Sequence, residues 1–220
     1  MTIYAATTNA GKLREFAECA REEGVEVLAL PGLKQMPEPV EDAATFMGNA
    51  ELKAVAYSRL APGKMVFADD SGLEVEALGG RPGVRSARFA EDLGLENAAQ
   101  SQDPDPGQPL TKDERNNRAV LALLEQVPHT REGESTRGAR FVCALALARD
   151  GEVLLRAEGE ISGQMLEAPR GSDGFGYDPL FLVPGLGKTL AELSREEKWR
   201  VSHRGNAFRQ LLKELGRVRE

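Results

Sequence analysis

The sequence predicts an α/β protein, a mixed β-sheet with helices packed on it. Three observations carry that expectation. Short apolar runs alternate with stretches of helical periodicity through the first half of the chain, as strands joined by helices would. Two apolar runs joined by the turn Arg149-Asp150-Gly151-Glu152 follow later, the pattern of a hairpin. The chain is 220 residues long, 41% hydrophobic and 29% charged, enough to bury a core without covalent staples. No internal repeat and no clean linker divides it, so residues 1–220 read as a single domain.

The elements follow in order. Ile3 to Ala6 is a short buried strand. Leu13, Phe16, Ala17 and Ala20 then recur at helical spacing until Gly24 stops the helix. Val25 to Ala29 is a second strand, and Pro31 to Pro39 is loop. Thr45 is a good N-cap for a helix with Phe46, Ala50, Ala54 and Tyr57 on one face, ended by Pro62-Gly63. Met65 to Ala68 is a strand running into Asp69-Asp70-Ser71-Gly72, and Gly79 to Gly83 is a turn cluster. Residues 91–114 hold seven acids against the single base Lys112; with the polar, proline-rich centre Ser101 to Pro109 they read as an exposed, mobile loop. A helix resumes near Arg115, carrying Ala119, Leu121, Leu123 and Leu124, and ends before Pro128. A polar connection, His129 to Gly138, leads to strands at Phe141 to Ala148 and Glu152 to Ile161. Leu180 to Val183 is a further strand, and a last helix runs from about Asn206 to Leu215.

Composition excludes several classes of function. Lys and Arg number 28 against 35 Asp and Glu, a net charge of −7, which disfavours a nucleic-acid polymer as partner. Net −6 of that lies in residues 91–114, so the rest of the chain is nearly neutral and the total says little about a free nucleotide. No apolar run is long enough to span a membrane. Met1 to Ala5 has neither a basic stretch nor a cleavage site, so no signal peptide is expected. Cys19 and Cys143 alone cannot make a disulfide framework, and a reducing cytoplasm is the expected setting.

Five clusters could carry chemistry. Thr7-Thr8-Asn9-Ala10-Gly11-Lys12 lies between a strand and a helix, where backbone N–H groups and a lysine attract phosphate; a capped helix with a solvated lysine would look the same. Asp69 and Asp70 end an apolar strand, where alternation would send one into a cleft for Mg²⁺ or general-base work; an Asx-turn is the alternative. Phe175-Gly176-Tyr177-Asp178-Pro179 sets two aromatic rings in a glycine-rich loop, suited to stacking on a base or to plugging the core. Lys198 with Ser202-His203-Arg204-Gly205 gathers hydrogen-bond donors, or is a solvated stretch whose Ser202 or Asn206 caps the last helix. Glu38, Glu41 and Asp42 gain interest only with a metal partner elsewhere. His129 reads as surface, Trp199 and Phe208 as core, and Cys143 as an inert thiol.

The order of these clusters is more specific than any one of them. The N-terminal Thr-Thr-Asn-Ala-Gly-Lys is followed by Thr45-Phe46 with Asn49-Ala50 and Lys53-Ala54, then Ala68 to Leu73, Gly79 to Val84 leading to Ser86-Ala87-Arg88, Phe175 to Pro179, and Ser202-His203-Arg204. The series resembles the inosine triphosphate pyrophosphatase family, of the Ham1/RdgB type, nearly end to end. It is poorest at residues 91–114, which look longer and more acidic than the family has there. The resemblance implies an elongated two-lobed fold on a long mixed sheet, with the nucleotide in a cleft between the lobes, and a homodimer. It implies Mg²⁺-dependent hydrolysis of ITP, dITP or XTP to the monophosphate and pyrophosphate. Carried onto this sequence, it places Thr7, Thr8, Asn9, Ala10, Gly11 and Lys12 on the triphosphate with Ser71 nearby. Asp70 binds the metal and orients or deprotonates water, supported by Asp69. Glu41 is the second metal carboxylate, with Glu38 in reserve. Phe175, Gly176, Tyr177, Asp178, Lys198, His203 and Arg204 read the base: Phe175 by stacking, Asp178 by accepting from a ring N–H, and Lys198, His203 and Arg204 as donors to a 6-oxo group. The rivals are a Maf-like pyrophosphatase for other modified nucleotides and a non-catalytic purine nucleotide sensor.

Overall fold

The computed structural model describes residues 1–95, 109–127 and 137–217. Its elements, in chain order, are β1 (Thr2–Ala5), α1 (Ala10–Glu22), β2 (Glu26–Ala29), α2 (Phe46–Arg59), β3 (Met65–Val75), α3 (Phe89–Asp92), α4 (Lys112–Glu125), β4 (Gly138–Arg149), β5 (Glu152–Met165), β6 (Phe181–Val183), β7 (Lys188–Thr189), α5 (Arg195–Val201) and α6 (His203–Arg217). The strands are ordered β2-β1-β3-β4-β5-β6-β7 in one sheet. β1 pairs parallel with β2 and β3, while β6 pairs antiparallel with β5 and β7. The predicted mixed sheet with helices is therefore present.

Local chemistry accounts for the helix starts. Asn9 caps α1, its side-chain oxygen accepting the N–H groups of Gly11 and Lys12. Thr45 caps α2 by accepting from Gly48 N–H. Thr111 and Glu114 form a reciprocal capping box at α4.

By contacts the chain divides into two compact units. One comprises Met1–Ser71, Val142–Glu160 and Trp199–Glu220; the other comprises Gly72–Phe141 and Ile161–Lys198. The core of the first centres on Ile3, Phe16, Phe67, Leu145, Leu147 and Phe208. The Phe16 ring meets Phe67 edge-on at 5.2 Å and Phe208 at 4.7 Å, with Trp199 at 6.1 Å. Phe208 is thus core, as expected, whereas Trp199 is only partly buried and packs against that core. In the second unit the Phe141 and Phe181 rings meet at 4.7 Å with their planes tilted by 49°, and Leu73, Val120, Met165 and Leu180 are also buried.

Several boundaries differ from expectation. β3 does not stop at Ala68 but continues to Val75, so Asp69 and Asp70 lie inside a strand and not in an Asx-turn. α4 begins at Lys112, because the capping box recruits Glu114, an acid that composition alone assigned to the loop. Glu91 and Asp92 belong to α3, where Asp92 pairs with Arg85. The expected loop at 91–114 is therefore helical at both ends, and its middle, 96–108, lies outside the described residues, as does His129. α6 starts at His203, with Ser202 Oγ accepting from Gly205 N–H, and α5 precedes it. Among the described residues, no helix is long and apolar enough to cross a membrane.

Candidate active site

In the first unit the site grows out of strand alternation. Successive β3 side chains point to opposite faces, so adjacent Asp69 and Asp70 meet different partners. Asp69 is buried and accepts from Lys12 Nζ at 2.6 Å. Arg204 Nε stands 4.0 Å from the same oxygen. Asp70 accepts from Asn49 Nδ2 at 3.1 Å and Lys53 Nζ at 3.3 Å. Asn49 is itself oriented, since its Oδ1 accepts Ala43 N–H at 3.0 Å. Lys53 also reaches Glu41 Oε2 at 3.0 Å.

These surroundings drive the two aspartates apart. Burial would raise the Asp69 pKa, but Lys12, Arg204 and the Lys12 hydrogen bond outweigh it and hold the carboxyl well below the usual carboxylate range. For Asp70 burial wins and its pKa rises, although Lys53 and Asn49 pull the other way. Burial likewise opposes the charge on Lys53, yet Asp70, Asp69 and Glu41 together push its pKa up. One carboxylate is thereby a fixed anion, and its neighbour is readier to take a proton. Paired groups whose environments separate their pKa values are the usual basis for dividing acid–base roles.

The remaining expected residues of this unit fall as follows. Asn9 is a helix cap, and Thr7 Oγ accepts Asn9 N–H at 3.2 Å. Thr7, Thr8, Asn9 and Ala10 line a cavity of about 290 Å³ together with Leu30, Gly32 and Lys34. Arg204 is buried, donates to Ser71 Oγ at 3.4 Å and lies 3.8 Å from Glu15. His203 is buried beside it in the first turn of α6. Cys143 is buried with its thiol pKa pushed up to about 12 by burial, which suits the inert reading.

Among the described residues no group of three or more His, Cys, Asp or Glu is arranged to hold a metal. The donor set nonetheless fits Mg²⁺, which takes one or two carboxylates and completes its shell with water and phosphate oxygens. Glu41 and Asp70 already converge on one cation, the Lys53 ammonium. Glu41, not Glu38, shares that cation with Asp70.

The second unit holds the glycine-rich loop. Asp178 is buried, and its Oδ2 accepts both Phe175 N–H at 2.8 Å and Lys198 Nζ at 2.5 Å. Asp178 and Lys198, expected to face a ligand separately, hold one another. Lys198 Nζ lies 5.0 Å from the centre of the Phe175 ring, a cation–π contact. Phe175 itself is 39% exposed. Tyr177 differs: its ring is buried and its hydroxyl donates to Ser86 O at 2.9 Å, so it plugs the core while Phe175 offers a face. Gly174 cannot be replaced cheaply, because its φ is +83° and a Cβ there would stand 2.2 Å from Asp178 Oδ2.

Sequence reasoning missed Asn49 and Lys53, which stood in the resemblance series without a role. It also missed Asp113 and Asn117 of α4, which bind the Gly176 peptide. No sequence signal marked Asp113, which looked like one more acid of a polar loop.

The chain is similar to known proteins over nearly its whole length. Residues 3–214 match the model of the Ham1 family. The chain is 51% identical over 215 residues to the dITP/XTP pyrophosphatase of Acidobacterium capsulatum, covering 98% of each chain. It is 46% identical over 212 residues to a dITP/XTP pyrophosphatase of Thermus thermophilus, covering 96% of this chain and 90% of the relative. Among solved structures, a HAM1 protein from Coxiella burnetii aligns with a TM-score of 0.79 at 34% identity over 99% of both chains. The Ham1 protein of Staphylococcus aureus aligns with a TM-score of 0.75 at 35% identity over 98% of both. With the family pattern matched over nearly its whole length, this chain belongs to the Ham1 family.

Proposed function

We propose that this protein is a Mg²⁺-dependent nucleoside-triphosphate pyrophosphatase that hydrolyses ITP, dITP and XTP to the monophosphate and pyrophosphate. The observation that carries the reading is the division of Asp69 and Asp70 across β3, one held as an anion by Lys12 and Arg204, the other raised by burial beside Lys53 and Glu41. The dITP/XTP pyrophosphatase names of the relatives support the substrate class.

In this reading Asp70 orients a water and takes its proton as the water oxygen bonds to the α-phosphorus. The bond from that phosphorus to the bridging oxygen breaks, and pyrophosphate leaves. Asp69 keeps the Lys12 ammonium in place beside the α1 N-terminus, where backbone N–H groups and the lysine attract the polyphosphate. Glu41 and Asp70 would hold Mg²⁺, which when bound neutralises polyphosphate charge. Lys53, sharing both carboxylates, keeps them aligned.

Selectivity follows from donors. Hypoxanthine and xanthine present a 6-oxo acceptor where adenine presents an amino group, so a donor that reads this position, Lys198 in one unit or His203 or Arg204 in the other, would be left unpaired by adenine. An ammonium has three donors, and Asp178 takes one of those on Lys198. Phe175 supplies the stacking face. The two-cysteine composition supports a cytoplasmic setting, and the resemblance supports a homodimer; a single-chain mass in light scattering would remove the dimer.

The deciding experiment is a panel of nucleoside triphosphates with Mg²⁺, scored for pyrophosphate against orthophosphate. Pyrophosphate from ITP, dITP and XTP, with little from ATP, is expected. Turnover confined to modified pyrimidine or 7-methylguanine nucleotides would favour a Maf-like enzyme, and tight binding without turnover would favour a sensor.

A further inference from the structure

Helix α4 holds the loop that carries Phe175, and it does so at one residue. Asp113 Oδ2 accepts the Gly176 N–H at 2.7 Å. One helical turn later, Asn117 Nδ2 donates to the Gly176 carbonyl at 3.0 Å. Residues four apart share a helix face, so the two side chains grip both polar groups of the same residue. The amide of Asn117 has one workable orientation there, since turning it over would set its oxygen against the Gly176 oxygen. Gly176 has φ +64°, a left-handed conformation that a glycine adopts without strain and that the two bonds fix.

The helix is itself tied down beside this grip. Asn116 Oδ1 accepts Ala90 N–H at 2.9 Å, and Asn116 Nδ2 donates to Ala87 O at 3.3 Å. On either side of Gly176 the loop is held again, by Asp178 accepting Phe175 N–H and by the Tyr177 hydroxyl donating to Ser86 O. The backbone around Phe175 is thus fixed at successive residues, yet the residue stays 39% exposed. Many bonds spent on a loop whose ring remains outside the core suit a face that must be ready before its ligand arrives.

We propose that Asp113 and Asn117 are positioning residues for base recognition: they clamp Gly176 and so set the Phe175 ring for stacking. The inference rests on the activity proposed above and assigns a role to residues that touch no reacting atom. Releasing the clamp would leave the loop to be ordered by the nucleotide, which weakens binding and spares the chemical step.

The test uses steady-state kinetics with ITP and ATP, together with hydrogen exchange at residues 174–178. Asp113→Ala and Asn117→Ala are expected to raise KM for ITP about tenfold, one hydrogen bond's worth of positioning, with kcat within about twofold. The Gly176 amide is expected to exchange faster in Asp113→Ala. Asp113→Asn, whose amide oxygen can accept the same N–H, is expected to restore KM. In a Phe175→Leu background Asp113→Ala is expected to change KM no further, because the ring it positions is gone. If an alanine variant fails to fold, Asn117→Asp breaks the bond at constant size and is held to the same expectation. An active wild type with KM unmoved in the alanine variants while Gly176 exchange accelerates overturns the positioning role and leaves the activity standing, as does a loss confined to kcat. A wild type that releases no pyrophosphate from ITP overturns the activity and this proposal with it.

Discussion

Lys12→Met tests the electrostatic core of the site. The substitution keeps the side chain out to its ε position and removes the ammonium that lies 2.6 Å from Asp69 Oδ2. At an effective dielectric near 20 the gross attraction across that distance is about 6 kcal/mol, before desolvation is subtracted. Two features reduce what is lost. The Lys12 side chain is 20% exposed, so water recovers part of its solvation, and Arg204 remains 4.0 Å away as a second cation. Removing one partner of a buried pair costs about 3–5 kcal/mol, and with these offsets we expect about 2–4 kcal/mol. For a chain of this size that is a fall in Tm of roughly 5–12 °C. Lys12→Met combined with Asp69→Asn, which removes the orphaned charge, should recover at least half of the loss. The sign with pH is fixed as well. The folded pKa of Asp69 is depressed, so its contribution is complete above the unfolded carboxylate value near pH 4 and declines below it. The gap between wild type and Lys12→Met should therefore be flat from neutral pH down to about pH 5 and shrink below about pH 4. Thermal and urea melts without added metal measure all of this. A Tm shift under about 2 °C, or a double variant no more stable than the single, would refute the account of Asp69 as an anion that depends on Lys12.

Three further perturbations follow from the same structure. Asp70→Asn should cut kcat by about 10²-fold or more while nucleotide binding stays within about threefold; release of pyrophosphate at near the wild-type rate would take Asp70 out of the base role. Tyr177→Phe should cost about 1 kcal/mol at neutral pH through the lost bond to Ser86 O. Burial raises the Tyr177 pKa, so the stability it supplies is present below about pH 10 and lost as the pH climbs past it; the gap to Tyr177→Phe should close and then reverse in alkaline melts. Gly159→Ala would put a Cβ 2.2 Å from Ala207 N and 2.5 Å from His203 O, forcing the first turn of α6 to shift. We expect a loss of about 1–3 kcal/mol and a smaller preference for ITP over ATP, and a variant that melts and discriminates like wild type would show that this close approach is relaxed elsewhere.

What was legible in the sequence, and what was not, has a physical pattern. Thr45, Asn9 and the turn at Asp150-Gly151 act through neighbours a few residues away, so residue type and spacing alone located the helices and the hairpin they govern. The hidden features depend on partners far along the chain. β3 continues through polar Asp69 and Asp70 because Lys12, Asn49, Lys53 and Arg204 satisfy them, and none of these is local to the strand. Lys198 reads as solvated until Asp178, twenty residues away, is seen to hold it in a buried pair. Tyr177 and Phe175 cannot be told apart by composition, since only the position of Ser86 O decides which ring turns inward. Asp113 was concealed by its own neighbourhood: an acid among acids in sequence is, in the fold, the acceptor for a glycine N–H 63 residues away.

The strand itself explains why the paired aspartates can divide their labour. In a flexible loop two adjacent carboxylates would repel one another and sample common partners, and their pKa values would move together. Within β3 the pleat forbids that exchange, because reaching the other's partners would require a slip of one residue, which turns every neighbouring side chain to the wrong face. Phe67, two residues before Asp69, is fully buried against Phe16 and Phe208, while Val66 is fully buried in a separate cluster with Leu30, Tyr57 and Ala61, so such a slip would exchange side chains fitted to two different packings. The two apolar packings of the strand thus hold the register, and the register assigns Lys12 and Arg204 to Asp69 and Lys53 and Asn49 to Asp70. A substitution that loosens Phe67 packing should therefore damage the pKa difference between the aspartates before it unfolds the sheet. That links core packing to the acid–base roles proposed for Asp69 and Asp70 without any direct contact between the ring and a nucleotide.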